Sequence, residues 1–280
     1  MSRQPVPQAR VQNDSAATDE RSAGLSRRTF AKGLAWSTPV IAAAAAAPIA
    51  AAATGANCVA TLTTGNAAAY TYSRLSATSA VFTWSDLFGD GKDFTLTLTA
   101  ASMGNFNNMA INTANNLVLD SGQQGGEAVP SVRLSLDTLT HANTGGGEQV
   151  TVSFALGGTA LAVEDLSYKI KDIDGFPAQD GNGGAERVSV SQGAGTIANS
   201  TWVQGTGTAA DRWRLQTSVP FPYEVVPSSD AGNINMTVAS TSAFTLDFIV
   251  NNSGRGGTDF PNQNIWIGPF AFTVTNPDCV

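Results

Sequence analysis

The sequence predicts an all-β fold, an antiparallel β-sandwich with jelly-roll-like topology, and three observations lead to this prediction. Apolar and polar residues alternate in many segments, for example 94–99 and 150–154, and a period of two is typical of strands with one buried face. Only 13% of the 280 residues are charged, whereas surface helices need many Glu, Lys and Arg residues. Clusters of glycine and asparagine, such as 181–184, separate the alternating segments and indicate turns.

The alternating segments follow one another along the chain, and none shows the spacing of three and four residues that is expected of a helix. Roughly a dozen strands, each with one apolar face, indicate two packed sheets, with a barrel as the alternative. The asparagine-rich stretch 102–116 is predicted to be a long loop. Besides the two segments above, the predicted strands are 132–136, 166–174, 188–190, 213–215, 234–238, 244–248 and 270–274.

Residues 54–280 are predicted to form a single β-sandwich domain of about 225 residues, which is enough to bury a core. The first 53 residues hold six of the 15 basic and three of the 22 acidic residues, so the domain carries nine basic and 19 acidic residues, a net charge of −10. A surface of that charge repels phosphate backbones. Nucleic acid is therefore not an expected partner.

A cleavable export signal is predicted over residues 26–53. Arg27 and Arg28, followed by Phe30 and Lys32, resemble the twin-arginine consensus, and an alanine-rich stretch runs behind them to Ala53. A basic region, an apolar helical region and small residues at the cleavage site form the layout of a signal peptide. One alternative is an uncleaved membrane anchor, for which the stretch has few strongly apolar residues; the other is a chance pair of arginines.

The resemblance to a twin-arginine signal implies the twin-arginine translocase and a signal peptidase as partners, with cleavage near Ala53. Residues 1–25 are polar and rich in Gln, Ser and Ala, a composition that predicts a disordered n-region. Together with the signal they resemble the leaders of surface and secreted proteins from high-GC Gram-positive bacteria. That resemblance implies a secreted or cell-surface location for the mature domain.

Two cysteines, Cys58 and Cys279, lie near the two ends of the predicted mature chain. Exported proteins meet oxidising conditions, in which an even number of cysteines indicates a disulfide. We predict an intrachain bond that joins the first strand to the last. Two free thiols, or a bond to another chain, are the alternatives.

The segment 166–190 contains an acidic, glycine-rich turn and resembles a hairpin of bacterial extracellular β-sandwich domains, in which such acids close a loop or hold Ca²⁺. Calcium takes six to eight oxygen ligands, whereas Asp and Asn also stabilise turns through their own backbone, so both interpretations are open. Calcium is the one cofactor that the sequence suggests, and it is expected to raise the melting temperature. The candidate calcium ligands are Asp172, Asp174, Asp180, Asn182 and Glu186. A second acidic cluster with the same two interpretations consists of Asp86, Asp90 and Asp93.

Few residues indicate catalysis. His141 is the only histidine, no G-x-S-x-G motif marks a nucleophile, and one histidine with two cysteines is too small a set for a zinc site. Glycoside hydrolysis needs only two carboxylates, so a secreted polysaccharide-active enzyme is the alternative to a non-catalytic protein. No pair stands out among the glutamates of the mature chain, which are Glu127, Glu148, Glu164, Glu186 and Glu224.

The sequence favours a binding role. β-Sandwich modules bind sugars by stacking them on exposed aromatic rings and by hydrogen bonds, and Trp202, between glycine-rich turns, is the tryptophan that we expect to be exposed. Trp213 and Trp266 lie in apolar segments and are expected in the core. The expected function is surface adhesion or ligand binding, with a glycan or a cell-envelope component as the partner. A structural envelope component that binds copies of itself is a further alternative.

Overall fold

The computed structural model describes residues 58–103, 109–138, 146–175, 185–216, 225–251 and 263–279. In these ranges the chain forms two nine-stranded sheets, and the strand pairings are antiparallel, so the predicted all-β sandwich is confirmed. No helix of the described residues is long and apolar enough to cross a membrane. Several residues named above lie outside the described ranges: Arg27, Arg28, Phe30, Lys32, His141, Asp180, Asn182 and Glu224.

Each sheet contains strands from most of the length of the domain. The strands of sheet A are β1 Val59–Thr63, β5 Met109–Ile111, β6 Val118–Asp120, β7 Ser131–Thr138, β10 Val163–Lys171, β12 Ala194–Ile197, β15 Ile234–Thr241, β17 Gln263–Ile267 and β18 Ala271–Thr275. The strands of sheet B are β2 Thr71–Ser76, β3 Ser79–Trp84, β4 Phe94–Ser102, β8 Gly146–Leu156, β9 Thr159–Ala160, β11 Ala185–Val190, β13 Val203–Gln204, β14 Trp213–Leu215 and β16 Ala243–Asn251. One short 3₁₀ helix, Ala67–Ala69, connects β1 to β2.

The longer strands alternate between the two sheets along the chain. Strands β7, β10, β15 and β17 belong to sheet A, and the intervening β8, β11 and β16 belong to sheet B. Connections that cross from one sheet to the other in this way are typical of jelly-roll-like sandwiches. In sheet A, β10 pairs with β15 on one edge, while β17 and β18 lie end to end along its other edge.

The core lies between the sheets and is built by the alternation that the sequence displays. On β4, Phe94, Leu96 and Leu98 are fully buried, whereas the intervening threonines are on the outer face. Phe272 of sheet A packs against three aromatic rings of sheet B, Trp84, Phe94 and Phe154, at centroid distances of 5.3 to 5.8 Å. Removal of such large apolar surfaces from water is the main stabilising contribution to folding.

The two ends of the sandwich differ. At one end, which we call the terminal pole, β1 begins and β18 ends, and Cys58 forms the predicted disulfide with Cys279 across a Cα–Cα distance of 5.5 Å. At the other end, which we call the loop pole, β10 ends and β11 begins, and the Glu186 amide donates to the Asp174 carbonyl at 3.1 Å.

The structure differs from the sequence prediction in its short strands and in one stretch predicted as a loop. The described ranges contain 18 strands rather than about a dozen, because strands of two or three residues are too short to show a period. The stretch 102–116 contains β5, and Asn112 and Asn116 within it are buried. Both asparagines hydrogen-bond to neighbouring segments, Asn116 to the Ser135 amide at 2.8 Å, and this bonding explains how polar residues are accommodated there.

Trp266 is buried, as predicted, but on the other side of sheet A from the core. Its neighbours Ile265 and Ile267 point into the sandwich, and alternation therefore directs Trp266 to the outer face. There its indole nitrogen donates to Asp120 at 3.4 Å, and the Arg133 guanidinium lies 5.5 Å from the ring centroid. A segment of chain thus covers part of the outer face of sheet A.

Candidate functional site

The outer face of sheet A carries two parallel rows of side chains. Residues that pair directly across antiparallel strands share a face, and Thr196, Asn235 and Lys169 pair in this way across β12, β15 and β10. In the next row, Thr237 of β15 pairs with Ser167 of β10, whose other neighbour is Ala271 of β18. The open part of this face is therefore a platform of hydroxyl, amide and ammonium groups.

Residues 121–130 fold over the neighbouring part of the face and form one wall of the platform. The turn in this segment needs glycine, because Gly125 has a positive φ of 58° and a Cβ atom there would lie 2.5 Å from the side-chain oxygen of Asn233. The Asn233 amide instead donates to the Gly125 carbonyl at 2.8 Å. Asn233 is 2% exposed, and its side-chain oxygen has no hydrogen-bond partner among the described residues. A buried acceptor with no donor among the described residues thus lies next to the wall.

Between this wall and the two rows lies a cleft, which we call the sheet A cleft. Its polar part has a volume of about 380 Å³ and its more apolar part about 390 Å³, each within the size range of small-ligand sites. Glu127, Lys169 and Asn235 line both parts, so the two parts are continuous. The polar part is also lined by Gly125, Gly126, Ala198, Ser228, Asp230 and Asn233, and the apolar part includes Val129, Pro269 and Ala271.

Charge in the sheet A cleft is concentrated at Glu127, which pairs with both Lys169 and Lys171. Lys171 is completely buried, and its ammonium donates to Ser131 at 3.1 Å and to Glu127 at 3.2 Å. Burial raises the pKa of Glu127, but hydrogen bonds from the two lysines outweigh burial, and the pKa is lowered overall. Glu127 is therefore an anion paired with two cations.

The chemistry of the cleft is that of hydrogen bonding. It offers amide, hydroxyl, carboxylate and ammonium groups next to an apolar strip, a combination that suits a polyhydroxylated ligand with apolar C–H faces. A general acid needs a raised pKa to hold a proton at neutral pH, whereas the pKa of Glu127 is lowered. Asp230 is the other carboxylate of the polar part. The arrangement therefore favours binding over proton transfer.

The carboxyl group of Glu148 has a raised pKa but lies in the core. Glu148 is fully buried on β8, on the same face as Val150 and Val152. One of its oxygens accepts from the Asn116 amide at 2.8 Å, and the other has no hydrogen-bond partner among the described residues. Burial raises the pKa of Glu148 to about 8. Glu148 does not line the sheet A cleft, and its burial bears on stability.

Three of the five candidate calcium ligands are described, and they lie together at the loop pole. Asp172 follows β10 with a positive φ of 69°, and the Asp174 amide donates to the buried Glu186 carboxylate at 3.1 Å. Burial and the neighbouring charge of Asp174 raise the pKa of Glu186 well above its ordinary value. These contacts are those of a residue that closes a turn. No group of three or more His, Cys, Asp or Glu residues in the described ranges is arranged to hold a metal ion, and calcium binding stays a prediction.

Calcium binding is tested by measuring thermal unfolding of the protein in millimolar CaCl₂ and in a chelator. We expect a higher melting temperature with calcium, because a ligand that binds only the folded state stabilises it. Asp172→Asn removes a charge but tolerates the left-handed backbone at this position, and it is expected to abolish the rise. Asp165→Asn is the matched control, because Asp165 is exposed, has a similar positive φ of 51° and belongs to neither acidic cluster. Equal melting temperatures of the unsubstituted protein in both buffers would exclude the calcium site.

The second acidic cluster, in the turn between β3 and β4, uses its carboxylates to bind the backbone of that turn. Asp86 accepts from the Gly91 amide at 2.7 Å, Asp93 accepts from the Asp86 amide at 3.0 Å, and Asp90 accepts from the Lys92 amide at 3.0 Å. This pattern is how aspartates stabilise tight turns. The turn interpretation of this cluster therefore has direct support.

Trp202 is half-buried and packs against the core, so it is less open than we expected. Its indole nitrogen is covered and has no hydrogen-bond partner among the described residues. It does not line the sheet A cleft. Trp213, by contrast, is in the core as predicted. Stacking of a sugar on Trp202 stays a prediction, and the cleft offers a different surface for the same class of ligand.

No protein-family model matches the chain, and no curated protein is similar to it in sequence. The candidate site therefore depends on the geometry described above.

The residues of the sheet A cleft were not identified as a site in the sequence. One signal was present: residues 54–280 contain only three lysines, and two of them, Lys169 and Lys171, are spaced to lie on one face of a strand. The other cleft residues carry no local pattern. Asn235 reaches Lys169 only through the pairing of β15 with β10, which the spacing of residues in the chain does not reveal.

Proposed function

We propose that this protein is an exported, non-catalytic β-sandwich that binds a glycan through the sheet A cleft and acts in adhesion or ligand binding at the cell surface. The observation that carries the proposal is the continuous cleft on the outer face of sheet A, where Glu127, Lys169 and Asn235 line both a polar and an apolar part. Sugars present hydroxyl groups at their edges and C–H groups on their faces, and the two parts of the cleft match these two chemistries.

Export through the twin-arginine pathway forms part of the same proposal. Its support is the sequence of the leader, with Arg27 and Arg28 before an alanine-rich stretch, and the disulfide between Cys58 and Cys279. Disulfides persist in oxidising compartments outside the cytoplasm. Replacement of both arginines by lysine, followed by fractionation of the culture, tests it: the protein is expected to remain in the cell with its leader uncleaved.

Glycan binding is tested with the purified domain and a panel of soluble cell-wall and plant polysaccharides, measured by calorimetry. Asn235→Ala is expected to weaken the binding of the best ligand about tenfold, because a hydrogen bond of about 1.5 kcal/mol between protein and sugar is lost. Asn115→Ala is the matched control, since Asn115 is half-buried in the turn between β5 and β6 and does not line the cleft. Equal losses in both variants, or no binding by any polysaccharide, would contradict the proposal.

The same samples separate binding from hydrolysis. A polysaccharide-active enzyme would release reducing sugars from the ligand that it binds, and loss of that release in Asp230→Asn would assign the reaction to the polar part of the cleft. We expect no release, because a glycosidase needs a protonated carboxyl group and Glu127 is held ionised by its two lysines.

A further inference from the structure

The outer face of sheet B, on the other side of the sandwich from the cleft, carries three arginines close together. Arg187 on β11 pairs directly with Arg214 on β14, so their side chains leave the sheet side by side. Arg212 lies two residues before Arg214 and alternates with the buried Trp213, which places both arginines on this outer face. The domain has only nine basic residues in total, and one third of them are in this group, which we call the arginine cluster.

The carboxylates beside the arginine cluster do not balance its charge. Asp211 pairs with Arg214 at 2.9 Å, and Asp247 lies 3.9 Å from Arg212. Asp247 already accepts hydrogen bonds from Gln149 at 2.9 Å and from Ser189 at 3.2 Å. Among the residues in the described ranges, three guanidinium groups thus face two carboxylates, one of which is bound mainly by neutral side chains.

Within the part of the chain that the structure describes, Arg187 is the arginine of the cluster without a counter-charge. It has no ion pair and no side-chain hydrogen bond among the described residues, and the Nε atoms of Arg187 and Arg212 are buried without a hydrogen-bond partner. Burial and the charges of Arg214 and Arg212 lower the pKa of Arg187. Like charges directly opposite each other in a sheet are destabilising, so the free protein holds this arrangement at a cost in stability.

We propose that Arg187, Arg212 and Arg214 bind an oxyanion group, a carboxylate or a sulfate. Guanidinium groups are planar and donate paired N–H bonds that match the two oxygens of such a group. An anion between Arg187 and Arg214 supplies the missing counter-charge and removes their mutual repulsion. The ligand is either a small free anion or the acidic units of a polysaccharide, and both present the same chemistry to the cluster.

Two probes distinguish these sources: sodium sulfate for the free anion and polygalacturonate for the acidic polymer. Each is titrated into the purified protein, with calorimetry for affinity and NMR for the arginine Nε–H signals. The Arg187 signal is expected to shift with both probes, and Arg187→Gln is expected to weaken binding at least about tenfold, as for loss of a charged hydrogen bond. Binding should weaken with added NaCl, because the charges are near the surface.

Lys92→Gln is the control, since it removes the same positive charge from the turn between β3 and β4, where Lys92 pairs with Asp278. It is expected to leave both affinities unchanged. Without any anion, Arg187→Gln should melt at a temperature no lower than that of the unsubstituted protein, which verifies that it folds; Arg212→Gln is a second variant with the same expected loss of binding.

Binding of sulfate alone would assign the cluster to a free anion, and binding of both probes would assign it to a polymer as well. The proposal is overturned if neither probe binds, or if Arg187→Gln and Lys92→Gln bind as the unsubstituted protein does. Failure of the glycan proposal leaves this test unaffected, because the sheet A cleft is on the other sheet.

Discussion

Replacement of Glu148 by glutamine is expected to raise the free energy of unfolding by about 5 kcal/mol at about pH 9 and by less than about 1 kcal/mol at about pH 5. The pKa of Glu148 rises from 4.5 to about 8 on folding. The stabilising contribution of the protonated group is therefore fully present below about pH 4.5 and is lost as the pH rises through about 8. Above that pH the folded protein buries a carboxylate that has no cation beside it among the described residues, and glutamine removes this charge.

Urea denaturation at several pH values measures the effect, as the difference between Glu148→Gln and the unsubstituted protein. Glu186 also has a raised pKa, but it is present in both proteins and cancels in the difference. Glu164→Gln is the control, because Glu164 is exposed on β10. The difference in free energy of unfolding between this variant and the unsubstituted protein should not change with pH. A Glu148→Gln difference that does not grow with pH would show that Glu148 is ionised or solvated in the folded protein.

Loss of the disulfide is expected to change the free energy of unfolding by a similar amount, but as a decrease. The bond between Cys58 and Cys279 joins residues 221 positions apart, and the chain-entropy relation assigns about 5 kcal/mol to a loop of that length. The variant with both cysteines replaced by serine should unfold at a correspondingly lower urea concentration. The folded state should change little, because five residue pairs between β1 and β18 hold the ends together without the bond.

The unsubstituted protein with its disulfide reduced is the matched control for the serine variant, and the two should unfold alike. Urea dependence gives a second readout: without the bond the unfolded chain is more expanded, so the slope of the unfolding free energy against urea should increase. Equal midpoints with and without the bond would show that the disulfide restricts the unfolded chain far less than the chain-entropy relation requires.

Strands were predictable from the sequence where alternation extends over five residues or more. Such a pattern arises because one face of the strand contacts the core and the other contacts solvent, and on β4 and β8 it identifies the buried side chains individually. The same rule locates Glu148, which is two residues before Val150 and therefore faces inward. The disulfide was predicted from the even number of cysteines together with the predicted export signal.

The sheet A cleft was not predictable, because it depends on which strands become neighbours. Gly125, Lys169 and Asn235 are far apart in the chain and meet only after β10 pairs with β15 and residues 121–130 fold over the sheet. Trp266 shows a different limit of prediction from the sequence. Its apolar neighbours suggested the core, but alternation directs it to the outer face, where it contacts Asp120 and Arg133.

The adjacency of Cys58 and Cys279 has a practical consequence for measurements on this domain. Both leave the sandwich at the same end, away from the broad outer surfaces of the two sheets. A biotin tag, a fluorescent protein or a sensor chip attached at the N- or C-terminus of the domain leaves the outer surfaces of both sheets accessible to solution. Immobilised protein can therefore be used to compare the two surfaces under the same conditions, with one attachment chemistry for all variants.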